Sequence, residues 1–186
     1  MAQLIYFMPT SLDGFIAEEP GPYDWSKPDE EVFAFINELE RPIGTYLYGR
    51  KNYQTMAVWQ TPDAIPDRTP AMLDFARIWQ AADKIVYSRS LETVSTPRTR
   101  LERDFDPRAV RDLKARSTRT VSVAGPNLAA QAIRSGLVDE VQLLVVPMLL
   151  GGGTRVLPAD VRMKLHLLDE RRFASGTVWL RYRTGA

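Results

Sequence analysis

Two stretches of this chain place small and basic residues where a phosphate group can be held. In YGRKNY, Tyr48 to Tyr53, a short apolar run ends at Gly49 and meets Arg50 and Lys51 at once. The run from Gly44 to Gly49 reads as a strand, and RKNYQTM begins a short helix. Amides at a helix start, joined by a guanidinium, bind phosphate well. In VAGPNLAA, Val123 to Ala130, a second strand runs through Ala124 and Gly125 into a helix opened by Pro126. Residues without bulk let a ligand approach the backbone closely. Each stretch also has an ordinary reading, as solvated basic residues or as a plain turn. Together, at the carboxyl ends of strands in one sheet, they point to a nucleotide.

A third glycine-rich stretch does not meet the same test. GGGTRV, Gly151 to Val156, follows a strand, but the next residues, VLPADVRMKL, contain Pro158 and show no helical period. The dinucleotide fingerprint requires a helix at that point, and no G-K-[ST] follows a glycine loop anywhere. The triplet therefore reads as a sharp turn and bulge. His166, the sole histidine, alternates with apolar residues in KLHLL and reads as a strand residue; with no cysteine in the chain, no metal site is expected. Ser11 lacks the G-x-S-x-G setting of a nucleophile.

The elements that position these residues follow from the pattern. LIYFM, Leu4 to Met8, is a buried strand, followed by the turn pair Asp13-Gly14. KPDEEVFAFINELE reads as a helix with Ser26 as its N-cap. AMLDFARIWQAA is helical and KIVYS, Lys84 to Ser88, is a strand, with one more short strand near TRLER. PRAVRDLKAR is a helix, RTVSVAG a strand, PNLAAQAIRSG a helix and EVQLLVVP a strand. KLHLLDERRFASGTVWLRYR reads as two strands joined at ASGT. Such alternation predicts an α/β fold: a mainly parallel sheet with crossover helices, closed by an antiparallel C-terminal hairpin.

Composition narrows the classes. With 186 residues, one domain over 1–186 is expected. A net charge of +1, from 24 basic and 23 acidic residues, argues against a nucleic-acid partner. Met1 to Met8 is too short for a signal segment or a membrane span, so a cytoplasmic protein with no membrane partner is expected.

The segments SLDGFIA, YGRKNYQTM, KIVYS and VAGPNLAAQAIRSGLVDEVQLLVVPMLLGGGTRVL occur in the order and spacing of a known family. Over nearly its whole length the chain resembles the dihydrofolate-reductase-like family of the riboflavin-biosynthesis reductase domain, the RibD C-terminal family. No deaminase-like segment precedes it, so a stand-alone member is expected. The resemblance implies a dihydrofolate-reductase-like three-layer fold with NADPH as hydride donor. It implies that Gly49 and Arg50 approach the cofactor phosphates, with Arg50 facing the 2′-phosphate, and that Lys51 and Asn52 lie beneath the pyrophosphate. It places Ser88 and Arg89 near the adenosine phosphate. Ala124, Gly125, Pro126, Asn127 and Leu128 match the second phosphate turn, where Ala124 replaces the usual first glycine. The loop TSLDGFIA matches the cover of the nicotinamide. The resemblance also implies a homodimer packed through the strands EVQLLVVPMLL and TVWLRYR.

In hydride transfer the cofactor does the redox chemistry, and the protein orients the rings and supplies a proton. Asp13 is one candidate proton donor; alternatively it only builds its turn. Glu30 is the other, because its place near the start of the first helix resembles the pterin-binding carboxylate of dihydrofolate reductases; alternatively it only favours the helix N-terminus. Trp25 and Tyr53 suit stacking on a flat substrate, or plain packing. The leading expectation is an NADPH-dependent reductase of a pterin-like or riboflavin-precursor-like heterocycle, or of a carbonyl compound. The alternative is a cofactor-binding or structural homologue without turnover.

Overall fold

The computed structural model describes residues 1–17 and 26–185. Its centre is an eight-stranded sheet. In chain order its strands are β1 (Leu4–Ser11), β3 (Ile43–Gly49), β4 (Asp83–Tyr87), β5 (Thr99–Glu102), β6 (Thr120–Ala124), β7 (Glu140–Val146), β9 (Leu165–Arg172) and β10 (Val178–Thr184). A separate two-stranded sheet pairs β2 (Phe15–Ala17) with β8 (Thr154–Arg155). The main sheet runs β5-β4-β3-β6-β1-β7-β10-β9. From β5 to β7 every neighbour is parallel, and β10 and β9 close the sheet as an antiparallel hairpin. The α/β class and the closing hairpin are those expected from the alternation of elements.

Among the described residues five α-helices cover the sheet: α1 (Glu30–Glu40), α2 (Arg50–Met56), α3 (Pro70–Ala81), α4 (Pro107–Arg116) and α5 (Pro126–Arg134). Strands covered on both faces must be apolar along their length, which is why LIYFM and TYLY show no polar alternation. Leu4, Tyr6, Leu47, Val121 and Val123 pack on one face against Val110 of α4 and Leu128, Ala129 and Ile133 of α5. Ile5, Tyr46 and Tyr48 point to the other face and pack with Phe75 and Trp79 of α3. Trp79 is fully buried, and its indole N–H donates to the Tyr48 hydroxyl at 3.1 Å. A third cluster joins Val32 of α1 to Leu144, Phe173 and Trp179 under the hairpin.

Two local readings need correction. The N-cap of helix α1 is Asp29, not Ser26: the Asp29 side chain accepts from the Val32 amide at 2.8 Å, leaving Ser26 before the helix. The pairing of β2 with β8 joins Phe15 to Arg155, so residues far apart in the chain create two strands too short to carry a period of their own. No helix among the described residues is long and apolar enough to cross a membrane.

Candidate functional site

A cavity of about 870 Å³ lies between the sheet and helices α1 and α3. Its floor is formed by side chains on one face of β1, β3, β6 and β7, including Phe7, Tyr46, Tyr48, Ser122 and Leu144. Phe33 and Ile36 of α1 and Phe75 of α3 form the opposite wall. Towards the carboxyl ends of β3 and β6 the lining changes character. There it consists of Gly49, Arg50, Lys51 and Asn52 on one side and Ala124 to Leu128 on the other. The register explains the meeting: Tyr48 lies opposite Ala124, so the two strand ends release their chains side by side.

The two α-helices that start here differ from the other three described. Helices α1, α3 and α4 carry side-chain caps from Asp29, Thr69 and Asp106. Helices α2 and α5 begin at Gly49 and Gly125 and have no side-chain cap. The first amides of a helix need partners, and a capping oxygen usually supplies one. The two uncapped starts both line the cavity, where a bound anion would meet that need.

The glycines leave the room such an anion requires. A Cβ built on Gly49 would meet nothing within 4 Å, so the position faces open space. Gly125 has φ +91°, in the region that favours glycine, and its Cβ would stand 3.4 Å from the Cβ of Asn52. Ala124, by contrast, is the last residue of β6 and is not among the positive-φ residues. The unusual backbone geometry therefore falls on Gly125, and the methyl group of Ala124 carries no backbone strain. The Asn52 Oδ1 atom is buried without a hydrogen-bond partner among the described residues. Arg50 is exposed at the rim and has no ion pair or hydrogen bond with a described residue.

Other candidates lie elsewhere. Ser88 is buried, and its hydroxyl accepts from the amides of Ser90 and Leu91, closing its own turn. Arg89 is held by Asp104. Neither lines the cavity. Tyr53 is 3% exposed and points away, its hydroxyl bonded to Thr96 at 3.1 Å, so it packs rather than stacks on a ligand. Glu30 is exposed and also lies outside the lining. Trp25 lies outside the described residues.

Asp13 has a structural task. Its carboxylate accepts from the Ser11 hydroxyl at 2.6 Å, the Gly151 amide at 2.7 Å and the Leu150 amide at 3.1 Å. The Ser11 hydrogen bond, helped by the two amides, lowers its pKa to about 2. A carboxylate held ionised in this way is a poor proton donor at neutral pH. Asp13 ties the turn after β1 to the glycine triplet. Asp13→Asn, which replaces one acceptor oxygen by an amide donor, is expected to speed hydrogen exchange at the Leu150 and Gly151 amides. Unchanged protection at both amides would remove the tying role.

A carboxyl that the sequence reading passed over does reach the cavity. Glu40, the last residue of α1, is only 7% exposed and lines the inner end. Its Oε2 accepts from the Tyr46 hydroxyl at 2.7 Å. Burial pushes its pKa up to about 7 against the opposing effect of that hydrogen bond. The signal was present in the spacing: Phe33, Ile36 and Glu40 fall on one helix face, so an acidic residue ends an apolar stripe.

A mostly parallel sheet with a crevice at the carboxyl ends of its strands defines an α/β protein of the kind whose ligands bind at such crevices. The comparisons are more specific. The chain belongs to the RibD C-terminal domain family, whose model matches residues 2–180. It is 28% identical over 185 residues to the uncharacterized protein YyaP of Bacillus subtilis (strain 168), covering 97% of this chain and 94% of that one. Its fold is similar to that of a putative riboflavin biosynthesis protein from Shewanella sp. PV-4, with TM-score 0.75, 20% identity and full coverage of both chains. It is also similar to a pyrimidine reductase-like protein from Corynebacterium diphtheriae, with TM-score 0.67, 13% identity and coverage of 100% of this chain and 92% of that one. A diaminohydroxyphosphoribosylaminopyrimidine deaminase/5-amino-6-(5-phosphoribosylamino)uracil reductase from Thermotoga maritima matches with TM-score 0.67 and 15% identity; 99% of this chain covers 57% of that one.

Proposed function

We propose that this protein is an NADPH-dependent reductase acting on a small planar heterocycle or carbonyl compound held in the cavity. The observation that carries this reading is the convergence of two uncapped helix starts, at Gly49 and Gly125, on one large cavity. Membership of the RibD C-terminal domain family, and a fold shared with proteins described as a uracil reductase and a pyrimidine reductase-like protein, support the same reading.

In this reading the backbone amides that follow Gly49 and Gly125 hold the pyrophosphate, and Asn52 lies between the two turns. Arg50, at the rim, pairs with the 2′-phosphate. When bound, NADPH supplies the hydride, and the chain contributes binding, orientation and exclusion of water. Phe33, Ile36, Phe75 and Leu144 give the inner cavity apolar walls suited to a flat ring. The homodimer is a separate part of the reading. The outer strand β9 has an unpaired edge and exposes Leu167 and Leu168, which a second copy would cover.

The test is a calorimetric titration with NADPH, followed by its oxidation, read by absorbance, with pterins, flavin precursors and quinones. Saturable NADPH binding with turnover of one of these compounds is expected. Binding without oxidation of any of them would favour the cofactor-binding homologue. No binding would overturn the reading.

A further inference from the structure

The inner end of the cavity carries a polar group that neither the phosphate cradle nor the apolar walls explain. Glu40 and Tyr46 border the cavity there, with Ser122 on the neighbouring strand opposite Tyr46. We propose that Glu40, backed by Tyr46, is the group that selects the substrate, its carboxyl donating a hydrogen bond to a ring nitrogen or carbonyl oxygen of a neutral planar heterocycle. The proposal rests on the reading of this cavity as a substrate site.

Three observations support it. First, the Tyr46 bond engages Oε2, which leaves Oε1 for a ligand. Second, the groups around Glu40 give it no cation to pair with. Tyr46 and Tyr48 face it from β3, stacked at 5.4 Å between ring centroids, and burial raises both phenols well above their ordinary range. From the end of α1, Arg41 is committed to Glu38 and to Asp74 of α3. Arg119, before β6, donates to the Arg41 carbonyl. Third, a buried carboxyl without a cation is driven to its protonated form, which is the form that can donate. Tyr46 donates to one oxygen, so the carboxyl proton belongs on the other.

A matched pair of probes tests this on the intact protein. Quinoxaline is a planar bicycle with two ring nitrogens that accept hydrogen bonds and do not titrate near neutral pH. Naphthalene has the same shape and no acceptor. With binding followed by protein fluorescence and NMR, quinoxaline affinity is expected to fall about tenfold or more between about pH 5.5 and about pH 8.5, as Glu40 ionises. Naphthalene affinity should shift by less than about twofold over that range, because an apolar ring makes no hydrogen bond to lose. Glu40→Gln keeps an N–H donor and should bind quinoxaline with no pH dependence. Glu40→Leu should abolish the difference in pH response between the probes. A flat quinoxaline profile in the native protein, the same profile in Glu40→Gln, or no quinoxaline binding at any pH would overturn the proposal. NADPH titration of the same samples separates the two readings. Lost NADPH binding with the quinoxaline profile intact overturns the cofactor assignment alone, and the reverse overturns the role of Glu40 alone.

Discussion

Replacing Arg50 with alanine is expected to weaken NADPH binding by about tenfold to about a hundredfold, the range of a charged hydrogen-bonded contact. NADH binding should change little. The asymmetry follows from geometry and chemistry together. Arg50 is the first residue of α2, exposed at the rim of the cavity. With no partner among the described residues, its guanidinium gives up no existing bond when it turns to a ligand. A guanidinium can pair with a 2′-phosphate through two parallel hydrogen bonds, and NADH has a hydroxyl at that position. Arg50→Lys keeps the charge and loses the fork, so it should fall between the native protein and the alanine variant. Calorimetry with both cofactors on all three proteins checks this. Equal losses for NADPH and NADH in Arg50→Ala would assign the contact to the shared pyrophosphate or to helix stability instead.

Glu40→Gln is expected to stabilise the folded protein at alkaline pH and to leave it nearly unchanged in acid. The pKa of the Glu40 carboxyl is raised from 4.5 to about 7, because burial penalises its charged form. A group whose folded pKa is raised binds its proton more tightly in the folded state. Its favourable contribution is therefore complete below the unfolded value and is lost as pH rises through about 7. Above that, ionised Glu40 costs the native protein roughly 3 kcal/mol relative to acid, and glutamine removes the cost. Urea unfolding of both proteins from about pH 5 to about pH 9 should show the gap opening across this window. Lys84 also titrates there, with its pKa lowered to about 8 by burial, but it is common to both proteins and cancels in the difference. A stability difference independent of pH would show that Glu40 is not ionising on its own in the folded state.

Asp13 and Glu40 show how unevenly a site is written in a sequence. Asp13 stands out in SLDGF because it follows a strand and precedes a glycine, and that pattern suits either a turn or a catalytic loop. The tie to residues 150–151 is invisible in that pattern, since those amides lie 137 and 138 positions away. Glu40 appears ordinary at the end of an acidic helix. Its chemistry arises from the sheet beneath it, where Tyr46 and Tyr48 exclude water and supply one hydrogen bond. Glu30 drew attention through its place near the helix start, yet the turn of α1 carries it to solvent and carries Glu40 to the cavity. Tyr53 follows the same rule: one residue after Asn52, it points into the core rather than towards a ligand.

By itself the sequence determined the class of fold, the closing hairpin and the two glycine turns that face each other across the cavity. These are local matters: periodicity sets strand or helix, and a glycine before a proline-opened helix marks a turn wherever it lies. The tertiary structure decided which strands are neighbours, which helix starts remain uncapped beside one another and which carboxyl is buried. These depend on contacts between residues far apart in the chain, such as Tyr48 with Ala124 or Tyr46 with Ser122. A side chain's charge and reach are properties of its residue type, but its pKa and its partners belong to the surroundings that folding assembles around it.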